Sequence, residues 1–303
     1  MKGRLLIACL VLANAARAAE APPACPLGQV ASLDTLTTPE GMIAVDGKVN
    51  GREGPFLVDT GGLGGILGFS PAFALKLEPQ RAAVGGLLIG GPTLEYGAMV
   101  KRFDAGPVAR NDLFFLIAPD RMLEPDTIGA IQPHLWRDLD VEIDFVKGKL
   151  NLFAQNQCPG RVVYWTHEAF AAVPVSVDPA GHIAVKALLD GKPVDAIVDT
   201  GAQNSAMSLV TAKALFGIDA KDPALKPLGT FSINNLVTAR AYRYPFKSLT
   251  FEGIAVNNPD IVISDTGDSG QPPLVVGIGA LRQLHLFIAY DESLLYLTAA
   301  EAR

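Results

Sequence analysis

Residues 43–61 read IAVDGKVNGREGPFLVDTG, and residues 183–201 read IAVKALLDGKPVDAIVDTG. Both stretches begin with Ile-Ala-Val and end with Val-Asp-Thr-Gly, and 183 − 43 and 199 − 59 both equal 140. Each has a Gly-containing turn between two apolar runs, which predicts a β-hairpin whose second strand ends at Asp-Thr-Gly. The chain is therefore predicted to contain two copies of one β-rich unit.

The repeat continues beyond the two Asp-Thr-Gly sequences. A short helix is predicted in each copy, over Ser70–Leu77 and Ser208–Phe216. Each copy then reaches an apolar-apolar-Gly signal, at Thr127-Ile128-Gly129 and Val275-Val276-Gly277, where the offset has grown to 148. Each copy closes with a pair of strands, namely Val141–Phe145 with Leu150–Phe153 in the first and Leu286–Tyr290 with Leu294–Leu297 in the second.

The halves meet near Gln155–Arg161, where Asn, Gln, Pro and Gly indicate a linker. This division predicts an N-terminal lobe over residues 41–157 and a C-terminal lobe over residues 162–303. Nearly half of the 303 residues are apolar and 18% are charged, a composition that excludes a disordered chain. The 30 Gly and 22 Pro residues favour short strands and tight turns over a helical bundle.

The first residues have the features of a secretory signal peptide. Lys2 and Arg4 precede the apolar stretch Leu5–Ala13, and Ala16-Arg17-Ala18 offers a small-residue cleavage site. We expect cleavage after Ala18 and export to the periplasm or the exterior, while lipidation at Cys9 is a weaker alternative. Residues 19–40 then form an N-terminal arm, which is equally consistent with a pro-segment, a regulatory arm or a tether.

Cleavage at this site changes both the charge and the cysteine content. Three basic residues leave, so the formal charge falls from −6 to −9, which argues against nucleic-acid binding and against attraction to anionic lipid. No stable membrane insertion is expected once the signal is removed. Cys25 and Cys158 remain, and in an oxidising compartment they are expected to form a disulfide, with two free thiols as the alternative.

The two Asp-Thr-Gly sequences predict an active site. A pseudo-twofold axis brings equivalent residues together, so Asp59 and Asp199 would face one another, and two adjacent carboxylates share one proton. The ionised member could act as general base toward a water, while the protonated member donates to the carbonyl oxygen of an amide. Thr60 and Thr200 are predicted to hydrogen-bond across the lobe junction. Gly61 and Gly201 are predicted to donate their amides to the carboxylates.

These residues resemble the pepsin/retropepsin superfamily of aspartic peptidases, in particular bacterial periplasmic members with two retropepsin-like halves in one chain. The matching residues are Phe56–Gly61 and Ala196–Ala202, with Val275-Val276-Gly277 resembling the family's second signature. The resemblance covers residues 40–300. It implies an all-β, bilobal acid-protease fold of two pseudo-twofold-related, β-barrel-like lobes with a few short helices, a peptide or protein substrate in the cleft between them, and no cofactor or metal. Both aspartates lie in one chain, so dimerisation is not required for the site.

The chain departs from the family pattern after the first motif. Residues 61–65 read Gly-Gly-Leu-Gly-Gly, whereas the second copy continues as Ala202-Gln203-Asn204-Ser205. Neither Asp-Thr-Gly is followed by the Ser or Thr that would add a hydrogen bond to the carboxylate, which predicts activity at mildly acidic to neutral pH. A further Asp-Thr-Gly at Asp265-Thr266-Gly267 lacks the preceding apolar residue and is interpreted as a turn.

A cleft enzyme needs a flap that excludes water from the reaction. The candidate flaps are Gly85–Tyr96 and Leu228–Leu236, and Tyr96 either caps the site or is an ordinary strand residue. The four histidines are scattered, and the sequence contains no zinc motif, no Gly-x-Ser-x-Gly and no phosphate-binding GK[ST] loop. The predicted function is an aspartic endopeptidase. The alternative is a noncatalytic peptide- or protein-binding module that retains the fold.

Overall fold

Short strands dominate the computed structural model, which describes residues 27–62, 64–87, 93–157, 159–178, 181–233, 237–265 and 273–300. This confirms the predicted β-rich chain with a few short helices. The signal peptide, both remaining cysteines and most of the Asp265–Gly270 segment lie outside the described residues. Within those residues, no helix combines the length and the apolar character needed to cross a membrane.

The first half opens with two short strands, followed by the predicted hairpin. Its turn is Asn50-Gly51, where both residues have positive φ (47° and 85°), the conformation of a type I′ hairpin turn. The helix of this half is α1 (Phe69–Ala74), and short 3-10 helices span Asp120–Met122 and Pro133–Leu135. The strands are β1 (Gln29–Asp34), β2 (Leu36–Thr37), β3 (Ile43–Val49), β4 (Arg52–Val58), β5 (Gly65–Gly68), β6 (Gln80–Leu87), β7 (Thr93–Ala105), β8 (Val108–Ala118), β9 (Gly129–Ile131), β10 (Leu139–Asp144) and β11 (Lys149–Ala154).

The second half repeats this plan. Its hairpin turns at Asp190-Gly191, again with positive φ at both residues (47° and 76°). Helix α2 (Leu209–Phe216) begins at Ser208, whose Oγ accepts from the Thr211 N–H, and α3 spans Ile278–Leu281. The strands are β12 (Ala171–Val177), β13 (Ile183–Leu189), β14 (Lys192–Asp199), β15 (Ser205–Ser208), β16 (Lys226–Ile233), β17 (Val237–Arg243), β18 (Ser248–Phe251), β19 (Ile254–Asn257), β20 (Ile261–Ser264), β21 (Leu274–Gly277), β22 (Leu284–Ala289) and β23 (Leu294–Ala299).

Both halves place the end of the Asp-Thr-Gly strand in the same surroundings. In the first half, β4 runs parallel to β9, while β5 pairs with β9 on one side and β8 on the other. In the second half, β14 runs parallel to β21, while β15 lies between β21 and β20. Each Asp-Thr-Gly strand is therefore held by a buried neighbour, with Val58 and Val198 in the core.

Strand register corrects one part of the predicted repeat. Val58 pairs with Ile131, whereas Val198 pairs with Val276, so the offset between β9 and β21 is 276 − 131 = 145. The pairings of β5 and β15 give the same result, since Ile66 lies opposite Ala130 and Ala206 opposite Val275. The prediction that Gly129 matches Gly277 at an offset of 148 was wrong, because the residue at the position of Gly277 is Gln132.

One sheet joins the two lobes, with the strand order β1-β11-β10-β22-β23-β12. Strands β10 and β22 meet at its centre in antiparallel register, with Glu142 opposite Phe287. The buried Glu142 carboxylate lies 2.7 Å from Nε2 of the buried His285, and the indole of Trp165 stacks on that imidazole at 4.3 Å. The lobes are thus connected by backbone pairing and by a buried polar contact, which fixes the two Asp-Thr-Gly loops relative to one another.

Candidate active site

The two predicted aspartates lie at equivalent strand ends. Asp199 is the last residue of β14 and pairs with Gly277 of β21. Asp59 follows β4, and its backbone N–H donates to the carbonyl of Ile131 at 3.0 Å. The parallel strands thus direct both residues toward the junction of the lobes.

Thr60 and Thr200 join the two loops by reciprocal hydrogen bonds. The Thr60 hydroxyl donates to the Val198 carbonyl at 2.8 Å and accepts from the Thr200 N–H at 3.0 Å. The Thr200 hydroxyl donates to the Val58 carbonyl at 2.7 Å and accepts from the Thr60 N–H at 3.1 Å. Both side chains are buried, so water does not compete for these four bonds. The structure therefore places both threonines in the predicted contact across the lobe junction.

Glycine follows each threonine and allows the carboxyl groups to approach the opposite loop. The Gly61 N–H donates to Asp59 Oδ1 and the Gly201 N–H donates to Asp199 Oδ1, both at 2.8 Å. A side-chain carbon on Gly61 would overlap the carboxyl group of Asp199, and one on Gly201 would overlap that of Asp59. Each carboxyl group thus lies against the loop that carries the other, and the two side chains are brought together.

The two carboxyl groups differ in burial. Asp199 is 7% exposed, whereas Asp59 is only half-buried. Burial raises the pKa of Asp199 well above its usual range, and the charge of Asp59 raises this pKa further, against the opposing effect of N–H donors from Gly201 and Ala202. Asp199 therefore favours its protonated form, as expected for one member of a pair that shares a proton.

Sequence reasoning missed Gln132, which contacts the first aspartate directly. Its Nε2 donates to Asp59 Oδ2 at 2.7 Å, and its side chain is buried. Asp59 therefore has a side-chain donor even though no Ser or Thr follows its Asp-Thr-Gly. A signal was present in the sequence: Gly62 stands where the second copy has Ala202, and a side-chain carbon at position 62 would overlap the Gln132 amide.

The candidate flaps form hairpins in both lobes. Strands β6 and β7 pair around residues 88–92, and β16 and β17 pair around residues 234–236; both tips lie outside the described residues. Tyr96 lies on β7 opposite Arg81, with 54% of its surface exposed. Its predicted role as a cap stays a prediction.

The remaining sequence predictions concern other regions. Asp265 directly follows β20 and forms an ion pair with Arg240 at 2.6 Å. The predicted Cys25–Cys158 disulfide lies outside the described residues and stays a prediction. Where the structure describes the chain, no three His, Cys, Asp or Glu side chains cluster closely enough to hold a metal ion.

Comparisons with known proteins concern the family and the fold of the chain. The profile of a family described as aspartyl protease matches residues 45–131 and 185–279, one copy in each half. An aspartic proteinase from Irpex lacteus has a similar structure, with a TM-score of 0.54 and 14% identity over 89% of this chain and 97% of that one. The basic 7S globulin from soybean has a TM-score of 0.50 and 12% identity over 91% and 96% of the respective chains. At these identities the two structures show the fold alone. No curated protein matches the sequence.

Proposed function

The chain belongs to the aspartyl protease family, and from this premise we propose that it is an aspartic endopeptidase that hydrolyses peptide bonds with Asp59 and Asp199. The observation that carries the proposal is the position of the two carboxyl groups, each packed against the glycine that follows the other. The raised pKa of Asp199 supports it, because a pair with one protonated and one ionised member is the reactive state.

In the proposed mechanism the dyad holds one water between its carboxyl groups. The ionised carboxylate removes a proton from the water as the oxygen attacks the scissile carbonyl carbon, and the protonated carboxyl donates its proton to the carbonyl oxygen. The resulting neutral diol collapses as its carbon–nitrogen bond breaks. The carboxyl group that took the proton from water gives it to the leaving nitrogen, and a diol hydroxyl returns a proton to the other carboxylate. The products are a carboxylic acid and an amine, and the dyad again holds its one proton on the original member.

The surrounding groups keep this geometry fixed. The four hydrogen bonds of Thr60 and Thr200 hold both loops at one separation, so little reorganisation is needed when charge moves during the reaction. We propose that the β6–β7 and β16–β17 hairpins lie over the bound peptide and exclude bulk water. A further proposal, made from the sequence, is export to the periplasm or the exterior. The sequence argument for activity at mildly acidic to neutral pH does not apply to Asp59, because Gln132 supplies a donor in place of the missing Ser or Thr.

Cleavage of a broad peptide library by the wild-type protein, Asp59→Asn and Asp199→Asn tests the function. Each substitution is expected to lower kcat/KM by about 10²–10⁴-fold, because each removes a proton-transfer group. Asp265→Asn is the matched control, since it changes the aspartate of the third Asp-Thr-Gly without touching the dyad. The assay runs from pH 2 to 8, with and without a statine-type transition-state mimic.

The result that contradicts the proposal is equal, residual cleavage by the wild type and both dyad variants. Binding of the mimic without cleavage would then favour the noncatalytic binding module. Loss of activity in Asp265→Asn alone would place the chemistry elsewhere and would also overturn the assignment of Asp59 and Asp199.

A further inference from the structure

We propose that Gln132 is a positioning residue that keeps Asp59 as the ionised member of the dyad and leaves the shared proton on Asp199. This assignment rests on the proposed function and extends it, because it gives the two aspartates different roles. Asp59 then removes the proton from the attacking water, and Asp199 donates its proton to the carbonyl oxygen.

The first argument is the side-chain donor that Asp59 receives in addition to its backbone donor. Both oxygens of Asp59 accept an N–H, Oδ1 from Gly61 at 2.8 Å and Oδ2 from Gln132 at 2.7 Å. Hydrogen bonds from N–H donors favour the charged form of a carboxyl group. A glutamine amide neither ionises nor releases its protons, so it stabilises the carboxylate without competing for the shared proton.

The second argument is the different surroundings of Asp199. Its Oδ1 accepts from the Gly201 N–H, and the Ala202 N–H is a second backbone donor, but the residue at the position of Gln132 is Gly277, which has no side chain to offer a further donor. Besides burial, the neighbouring carboxyl group of Asp59 raises the pKa of Asp199. Since Asp199 is also the more buried of the two, the neutral form belongs on this side of the pair.

Asp59 and Asp199 each have the other as their ionisable neighbour. The other contacts described for them come from backbone N–H groups and from the Gln132 amide. The protonation order within the pair is therefore set by neutral donors and burial, which are unequal on the two sides.

The local fold holds Gln132 in this position. Gln132 directly follows β9, its N–H donates to the Gly64 carbonyl at 3.2 Å, and its own carbonyl accepts from the Leu135 N–H at 3.0 Å. Pro133 begins the 3-10 helix that follows. Gly62 leaves the space that the amide fills. Backbone hydrogen bonds thus fix Gln132 on both sides, and the glycine opposite leaves room for its amide to donate to Asp59.

The test compares Gln132→Met, which keeps a similar length without a donor, with Gln132→Glu, which adds an ionisable group. For Gln132→Met we expect kcat to fall about ten- to a hundredfold with little change in KM, since a hydrogen bond to a charged group is lost. The acid limb of the kcat/KM profile should move up by about one pH unit. Gln132→Glu should retain activity only at low pH, where the new carboxyl group is protonated and still donates.

Gln283→Met, at an exposed glutamine after α3, is the matched control and should match the wild type. Unfolding curves of all variants show whether a loss of activity reflects loss of fold. A second measurement does not depend on activity: the ¹³C shifts of the Asp59 and Asp199 carboxyl groups, followed through a pH titration. In the wild type the Asp59 signal should report ionisation at lower pH than the Asp199 signal, and Gln132→Met should narrow this separation.

The possible outcomes separate the two proposals. An active wild type with a Gln132→Met variant of unchanged pH profile and unchanged carboxyl titration would overturn the role of Gln132 and leave the endopeptidase intact. An inactive wild type would overturn the endopeptidase, and the carboxyl titration would still decide whether Gln132 sets the order of ionisation.

Discussion

The two Asp-Thr-Gly loops have the same backbone arrangement and different side-chain surroundings. Thr60 and Thr200 make matching hydrogen bonds with lengths that agree within 0.1 Å, and each following glycine donates to its aspartate at 2.8 Å. The loops differ in the residues that surround the two carboxyl groups. The first loop has glycine at 62 and glutamine at 132, whereas the second has alanine at 202 and glycine at 277.

This comparison separates what the duplication supplies from what later substitutions change. A duplicated scaffold gives two carboxyl groups with equal geometry, but the proposed reaction requires one to be charged and the other neutral. Compared with the second copy, the first has a smaller residue at position 62 and a larger one at position 132. This change makes the two carboxyl groups unequal without disturbing the threonine contacts. The predictions below test first the symmetric part and then the asymmetric part.

The largest effect on stability is expected at the symmetric contact. Thr60→Val and Thr200→Val each keep the side-chain volume but leave a buried N–H and a buried carbonyl without a partner. Each should lower the free energy of unfolding by at least about 2 kcal/mol, and by equal amounts within error. Urea denaturation measures both, and Thr→Ser at the same positions should restore most of the loss. Unequal losses would show that the loops are not equivalent even in their scaffold.

A smaller effect of opposite sign is expected at Asp199. Its folded-state pKa lies above the unfolded value, so the cost of ionising it lowers the stability of the fold at neutral pH. The lost stability is regained as the pH falls through the raised pKa to about 4. Asp199→Asn should raise the free energy of unfolding at pH 7 by roughly 1–2 kcal/mol. The gain should shrink as the pH approaches 4, because the wild-type side chain is then protonated as well.

Asp59→Asn is the matched comparison for this prediction. Its carboxyl group is half-buried and accepts two N–H donors, so the amide should bring a smaller gain or none. Thermal unfolding of both variants between pH 4 and 8 makes the comparison. Equal gains at both positions would contradict the inequality of the two loops.

The smallest effect on stability is expected at the exchanged small residues. A methyl group at Gly62 would meet the end of the Gln132 side chain, which can move away, so Gly62→Ala should change stability by less than about 1 kcal/mol. It should nevertheless lower kcat about tenfold by displacing the donor from Asp59. The double variant Gly62→Ala/Gln132→Met should be no worse than Gln132→Met alone. Ala202→Gly is the control in the second loop, and full additivity in the double variant would argue against the proposed coupling.

The constant offset of 140 predicted two copies of one β-rich unit and the meeting of the two loops, because it preserves the hairpin turn and the end of the strand, whereas the acid-protease fold was implied by the family resemblance. The later offset was not predictable by the same means. Between the aspartate and the strand that holds it, the second half has five more residues, and the long strands β7 and β8 are replaced there by two shorter pairs. Apolar-apolar-Gly occurs at several places in such a segment, whereas the strand that pairs with β4 continues as Ala130-Ile131-Gln132, and only strand pairing identifies it. The glycine at position 62 was visible, but its partner was 70 residues away in sequence.

The sheet shared by the lobes has a consequence for how the protein is assembled. A separated half would expose β10 or β22 as an edge strand with unpaired backbone groups, and such an edge pairs readily with other chains. Because the two edges meet about a local twofold axis, a lone half would find its most suitable partner in a second copy of itself. In this chain the two halves are covalently linked, so each meets the other within one molecule, at an effective concentration that the linker fixes. Dilution therefore should not separate the two aspartates, as it would in a protein built from two separate chains.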